Sequence, residues 1–209
     1  IKERNINIEQ DGCSNVLDPK NKKELIQQEF VRTYLSQTDN RYRSILLYHG
    51  LGTGKTFNTI NTFYGLYKQD NSWVAYILLK NTIRKTWEKE INNSFNDKKF
   101  IKNITITNYD GPYANSTFKK VIQDTYQMGK KVVFIIDEVH GFISNVVGNI
   151  KTNRRRALDI YNYIVKHLKQ KPFTRIMALS GTPIVNQPFE LAILFNLLRP
   201  NIFPNNETK

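Results

Sequence analysis

Two spacings of apolar residues alternate along the 209-residue chain. Short apolar or alternating runs stand at residues 45–48 (ILLY), 73–79 (WVAYILL), 103–107 (NITIT), 131–136 (KVVFII) and 174–179 (TRIMAL). Their length and polar boundaries predict β-strands, the continuous runs being buried on both faces. Between them, apolar positions recur every three or four residues, the spacing of an amphipathic helix. Leu25, Ile26, Phe30, Val31, Tyr34 and Leu35 give such a helix over residues 22–35. Further helices are predicted over residues 57–67, 82–93 (with Trp87 and Ile91), 155–168 and 188–198, and a mixed segment runs over residues 113–128. Pro200 and Pro204 stop the last helix, because proline has no N–H to continue the ladder. Residues 145–153 are polar and read as a loop. Residues 1–21, broken by Gly12 and Pro19, read as an N-terminal arm.

Five strands alternating with helices imply an α/β fold, a mostly parallel doubly wound sheet with helices on both faces. Ligands of such a sheet gather beyond the carboxyl ends of its strands. No internal repeat or glycine- and proline-rich linker divides the chain, so one domain over residues 22–200 is expected.

The first strand runs into SILLYHGLGTGKT (residues 44–56), where Gly50, Leu51, Gly52, Thr53 and Gly54 form a glycine-rich loop before a helix start. Strand, glycine loop and helix describe a phosphate cradle. The glycines let backbone N–H groups turn inward as an anion nest, and the helix N-terminus adds its dipole. Lys55 can then reach the β- and γ-phosphates of a nucleotide, and the Thr56 hydroxyl is placed to ligate Mg²⁺. His49 stands where the usual string has its first glycine, so the strict pattern fails by one residue.

A second candidate site follows the strongest strand, as Asp137-Glu138-Val139-His140. Two carboxylates at the end of a buried strand are costly unless something positive meets them. In one reading Asp137 holds Mg²⁺ through its water shell and Glu138 orients and deprotonates the attacking water. His140 then hydrogen-bonds toward the neighbouring motif and signals the state of the γ-phosphate. In the other, both carboxylates merely cap the next helix.

Composition narrows the partners. Lys and Arg number 31 against 18 acidic residues, a formal charge of +13, which suggests nucleic acid. The single cysteine, Cys13, excludes an internal disulfide and fits a reducing compartment. No apolar stretch of this sequence approaches the roughly 20 residues of a membrane span, and neither a leader peptide nor membrane association is expected. The chain begins with Ile1 and is expected to be a fragment of something longer.

The order GLGTGKT, DEVH and Ser180-Gly181-Thr182-Pro183 resembles motifs I, II and III of superfamily 2 helicases and translocases. Residues 179–200 (LSGTPIVNQPFELAILFNLLRP) resemble Swi/Snf-type ATPases. They are at least as similar to the helicase-like ATPases of large DNA viruses, the poxvirus nucleoside triphosphatase I and early transcription factor group. The run QEFVRTYLS (residues 28–36) leading into LLYHGLGTGKT looks most like those viral proteins. In such ATPases the position of His49 is not held to glycine.

The resemblance, which covers about residues 25–200, implies a RecA-like P-loop domain that binds ATP and Mg²⁺. It implies that Gln28 reads adenine, that Gly50, Leu51, Gly52, Thr53, Gly54, Lys55 and Thr56 bind phosphate, and that Thr56 and Asp137 hold the metal. Lys55, Asp137, Glu138 and His140 would be catalytic, and Ser180, Gly181 and Thr182 would couple hydrolysis to a nucleic-acid track. Asn81, Thr82 and Arg84 stand where a further motif grips the track, although Lys80-Asn81 departs from its usual proline and threonine. A solvated basic helix face is the open alternative there. Tyr109 is either another track contact or a core-edge tyrosine, and Arg154, Arg155 and Arg156 either touch a partner or start a solvated helix.

In this family ATP binds between two RecA-like lobes, and the second supplies arginine fingers. Only nine residues follow Pro200, so residues 201–209 would begin a linker to a lobe elsewhere in the full-length chain. The fragment alone is then expected to be nearly inactive, since an arginine finger is worth about 10³–10⁵ in rate. The resemblance favours DNA over RNA as partner, a place in a viral transcription complex, and an intracellular setting in the host cytoplasm or virion. The alternative function is an ATPase-like scaffold of such a complex.

Overall fold

A computed structural model describes residues 26–37, 43–48, 54–182 and 187–203, except for the side chains of Gln27 and Gln28. Five parallel strands form one sheet: β1 (Ser44–Tyr48), β2 (Trp73–Leu79), β3 (Ile104–Asn108), β4 (Lys131–Ile136) and β5 (Thr174–Ser180). Their spatial order is β1-β5-β4-β2-β3, so the chain leaves β1, builds the far side of the sheet and returns to fill the middle. This is the α/β fold expected from the alternating pattern, in the RecA-like form that the resemblance implies.

Alternation along each central strand divides the apolar residues between two cores. Ala75, Ile77, Leu79, Val133, Ile135, Met177 and Leu179 point to one face. That face is covered by α1 (Ile26–Ser36), α2 (Lys55–Gln69), α3 (Asn81–Ser94) and the short α4 (Lys98–Ile101), through Val31, Phe63, Trp87 and Phe100. Tyr76, Leu78, Phe134, Ile136, Ile176 and Ala178 point to the other face. There α5 (Ala114–Gln127), α6 (Val139–Thr152), α7 (Arg156–Gln170) and α8 (Pro188–Leu198) pack through Phe118, Phe142, Tyr161 and Ile193. The runs WVAYILL and TRIMAL are therefore strands buried on both sides.

One expectation fails here. Residues 145–152, read from the sequence as loop, belong to α6. Ile143, Val146 and Val147 are buried and Ile150 packs against the same core, a spacing of one helical face. The polar residues that suggested a loop sit between them and serve the surroundings. Asn145 Nδ2 donates to Asp110, and Asn149 Oδ1 accepts from the N–H of Ala157 in α7. The stop comes at Asn153, which adopts a left-handed conformation (φ 53°) that asparagine tolerates well. The sequence reading also missed α4, a single turn capped by Asp97, whose carboxylate accepts from the N–H groups of Lys99 and Phe100.

Arg175 of β5 is a structural oddity with a clear explanation. It is buried without a carboxylate partner among the described residues, yet its guanidinium donates to the carbonyls of Leu35, Gln37, Pro172 and Thr174. Burial and the nearby Arg43 push its pKa down to about 10, still charged at neutral pH. Two of these carbonyls lie at the end of α1, so the fork closes that helix terminus and ties α1 to the sheet.

Candidate active site

The carboxyl ends of β1, β5 and β4 lie side by side, with Tyr48 paired to Ser180 and Ile136 to Ala178. Whatever follows these strands is brought together by the sheet rather than by neighbourhood in sequence. After β1, the chain enters α2 through Gly54, whose φ of 71° is a left-handed conformation that favours glycine. Helix α2 begins at Lys55, so the first-turn N–H groups have no intrahelical acceptor. Gly50, Leu51, Gly52 and Thr53 lie outside the described residues, as does the Gln28 side chain.

The Lys55 ammonium is enclosed and makes no hydrogen bond among the described residues. Its nearest anion is Glu138 Oε1, 4.0 Å away. A buried ammonium is unfavourable unless an anion meets it, and this one lies at the N-terminus of α2, where the helix dipole also favours an anion. A phosphate group fits both needs. Thr56 is half-buried one residue further along the same turn.

After β4 come Asp137, buried, and Glu138, half-exposed. The Asp137 carboxylate accepts from two donors: Glu138 N–H to Oδ1 at 2.9 Å and the Trp87 indole Nε1–H to Oδ2 at 2.6 Å. Burial pushes the Asp137 pKa up, against the opposing pull of the Trp87 bond. Neither carboxylate makes a side-chain cap for α6, which starts at Val139 with Glu138 in a left-handed conformation (φ 47°). The helix-cap reading of this pair is thereby excluded by geometry. The non-glycine strain at Glu138 turns its side chain toward Lys55 and His140, and such strain concentrates at functional sites.

His140 joins this cluster to the end of β5. Its Nδ1 is 3.3 Å from Glu138 Oε2 and 2.9 Å from Ser180 Oγ, with Thr182 Oγ1 at 3.5 Å. Ser180 Oγ also accepts from the Thr182 N–H at 3.0 Å. Lys55, Glu138, His140, Ser180 and Thr182 thus form one chain of contacts across three strand ends, with Gly181 as the link between the last two. Pro183 lies outside the described residues.

The oxygens of Thr56 and Asp137 suit a hard cation such as Mg²⁺. Among the described residues no group of three or more His, Cys, Asp or Glu could hold a metal by itself. The donor set therefore fits a cation shared with nucleotide phosphates, which bring most of the ligands.

The residues expected to meet nucleic acid divide. Asn81 and Thr82 are exposed at the start of α3, while Arg84 is half-buried and pairs with Glu88 one turn on, Nε to Oε1 at 2.7 Å. Tyr109 is a correction. It is wholly buried, edge-on to Phe142, and its hydroxyl has no hydrogen-bond partner among the described residues. The core-edge reading holds, because α6 closes over it: a methyl at Gly141 would stand 3.2 Å from the Tyr109 hydroxyl and from Lys80 Nζ. Arg154, Arg155 and Arg156 are exposed at the start of α7, and Arg156 donates to the Asp110 carbonyl. The sequence reading treated Trp87 as a helix residue only. Its signal was that a buried indole N–H needs an acceptor.

Comparison with known proteins follows the same lines. The sequence profile of the SNF2-related domain family matches residues 26–208. A protein of Acanthamoeba polyphaga mimivirus, named as a candidate ATP-dependent RNA helicase, is 43% identical over 195 residues, covering 86% of this chain and 24% of that protein. Nucleoside triphosphatase I of Melanoplus sanguinipes entomopoxvirus is 29% identical over 176 residues, covering 78% of this chain and 25% of the relative. The chain thus spans about a quarter of the length of these curated relatives. Among solved structures, the Sulfolobus solfataricus SWI2/SNF2 ATPase core in complex with double-stranded DNA superposes with a TM-score of 0.52 at 20% identity, covering 84% of this chain and 34% of that one. With the family profile spanning nearly all of it, this chain belongs to the SNF2-related domain family of superfamily 2 helicase-like ATPases.

Proposed function

We propose that residues 22–200 are the first, ATP-binding lobe of a nucleic-acid-dependent ATPase that acts as a helicase or duplex translocase. The observation that carries this reading is the contact chain from Lys55 through Glu138 and His140 to Ser180. An enclosed ammonium, a carboxylate, an imidazole and a hydroxyl in successive contact support it.

In this reading the helix start and Lys55 hold the β- and γ-phosphates, and Thr56 with Asp137 would hold Mg²⁺, which would supply neutralisation of phosphate charge. Glu138 orients a water in line with the γ-phosphorus and accepts its proton, so that ATP and water become ADP and inorganic phosphate. His140 passes the state of Glu138 to Ser180 and Thr182, and through them to the nucleic-acid track. Asn81, Thr82 and Arg84 at the start of α3 contribute to that track, and Gln28 with the loop at residues 50–53 completes the nucleotide site. A second lobe of the full-length chain, joined through residues 201–209, supplies the missing cationic group. The net charge of +13 supports a nucleic-acid partner, and the viral relatives support a place in viral transcription or genome handling. They also support an intracellular setting, in the host cytoplasm or virion. The DNA-bound SWI2/SNF2 neighbour favours DNA, while the mimivirus relative is named for RNA.

ATP hydrolysis by the full-length protein, measured with single-stranded DNA, duplex DNA and RNA, tests the reading. DNA-stimulated turnover that Glu138→Gln abolishes while nucleotide binding survives is the expected result. Turnover indifferent to every nucleic acid, or to Glu138→Gln, would overturn it and favour a scaffold.

A further inference from the structure

We infer that Trp87 is a positioning residue for the Asp137 carboxylate and the physical link between the start of α3 and the nucleotide site. This rests on the reading of Asp137 as a metal-holding group. Trp87 is 1% exposed, lies within α3, and reaches across to the end of β4, where its indole donates to Asp137 Oδ2 at 2.6 Å. The only other donor to that carboxylate among the described residues is the adjacent backbone N–H of Glu138, on the opposite oxygen. The indole therefore fixes the carboxylate's rotation and decides which lone pairs remain for a cation or its waters.

The same residue has a second consequence. The exposed first turn of α3 carries Asn81 and Thr82, while Trp87 and Ile91 root the helix in the core. A ligand that shifts α3 as a rigid rod moves the indole donor with it, and a hydrogen bond near its shortest distance weakens steeply with displacement. Phosphate groups drawn to the start of α3 would thus change the orientation of Asp137 without touching it. No residue of the Glu138–His140–Ser180 chain is needed for this path.

Groups that orient a ligating side chain typically affect metal affinity or activity by about 10–100-fold. The test uses the full-length protein with Trp87 replaced by phenylalanine and, separately, by β-benzothienylalanine, which keeps the bicyclic shape but has sulfur in place of the N–H. The readouts are the Mg²⁺ concentration that half-saturates binding of a fluorescent ADP, and the ratio of nucleic-acid-stimulated to basal ATPase. A Mg²⁺ requirement raised about tenfold, with a reduced stimulation ratio in the benzothienyl variant, is the expected result. An unchanged Mg²⁺ requirement and ratio in that variant would overturn the inference even if Trp87→Phe were impaired, since shape alone would then explain the phenylalanine result. Asp137→Asn serves as the control: if it leaves Mg²⁺-dependent ADP binding untouched, the metal-holding role of Asp137 itself falls.

Discussion

His140 Nδ1 stands 2.9 Å from the Ser180 hydroxyl, so the ends of β4 and β5 are joined through two side chains 40 residues apart in sequence. The two strands are already neighbours by backbone pairing, and this bond adds nothing the sheet needs. Its value lies in what else the same Nδ1 approaches, the Glu138 carboxylate at 3.3 Å. A change of charge or position at Glu138 alters the imidazole, and through it the Ser180–Thr182 turn.

Ser180→Ala removes the acceptor and donor while keeping the buried volume nearly constant. A side-chain hydrogen bond is worth about 0.5–1.5 kcal/mol net, or a factor of about two to ten in rate when it acts only during turnover. The expected outcome is a stimulation by nucleic acid reduced by that factor, about two- to tenfold, a larger fall than in basal turnover. Steady-state ATPase titrations with and without duplex DNA check it.

Lys55→Met should separate stability from function. The ammonium is enclosed, lacks a hydrogen bond among the described residues and has only Glu138 at 4.0 Å. Methionine fills similar space without the desolvation cost, which for an unsatisfied polar group is about 1–3 kcal/mol. The nucleotide-free variant is expected to melt higher, by about 2–4 °C per kcal/mol relieved in a domain of this size, while nucleotide binding is lost. A thermal melt beside a fluorescent-nucleotide titration measures both, and a lower melting temperature would refute the burden assigned to this lysine.

Tyr109→Phe carries the same logic to a residue first considered for nucleic-acid contact. Its hydroxyl is buried without a hydrogen-bond partner among the described residues, and burial with the nearby acidic residues pushes its pKa up. Removing it should raise stability by about 1 kcal/mol and leave nucleic-acid affinity unchanged. A fall in affinity without unfolding would restore a track role.

Much of this was legible in the sequence because short-range pattern and long-range placement agreed. The continuous runs WVAYILL and KVVFII became central strands with the predicted bounds, and the α/β alternation left few topologies to choose among. The family's motif order then located Lys55, Glu138, His140 and Ser180, which the sheet brings together. Two things were hidden for physical reasons. Residues 145–152 mixed helix-facing Val146 and Val147 with asparagines whose partners, Asp110 and Ala157, lie outside the helix, so polarity outweighed periodicity. Trp87 looked like any apolar helix residue, since only the fold reveals that its indole meets a carboxylate 50 positions away.

Asp70 offers a pH-dependent test remote from the site. It ends α2, and its carboxylate accepts from Lys131 Nζ at 2.7 Å and from the Ser72 N–H at 2.8 Å. These bonds, the Lys131 one foremost, hold its pKa at about 2 against an ordinary 3.8. A depressed acid pKa means that the unfolded chain binds the proton more readily. The contribution is therefore present above about pH 4 and is lost as pH falls toward 2. The pair is more than a third exposed on the Asp70 side, so solvent screening limits it to about 1 kcal/mol or less. Asp70→Asn should cost about that much at pH 7, and wild type and variant should converge near pH 2. Urea unfolding at several pH values, repeated at high salt, checks the sign. A gap that widened on acidification would refute the depressed pKa of Asp70 and the stabilising role of its Lys131 bond.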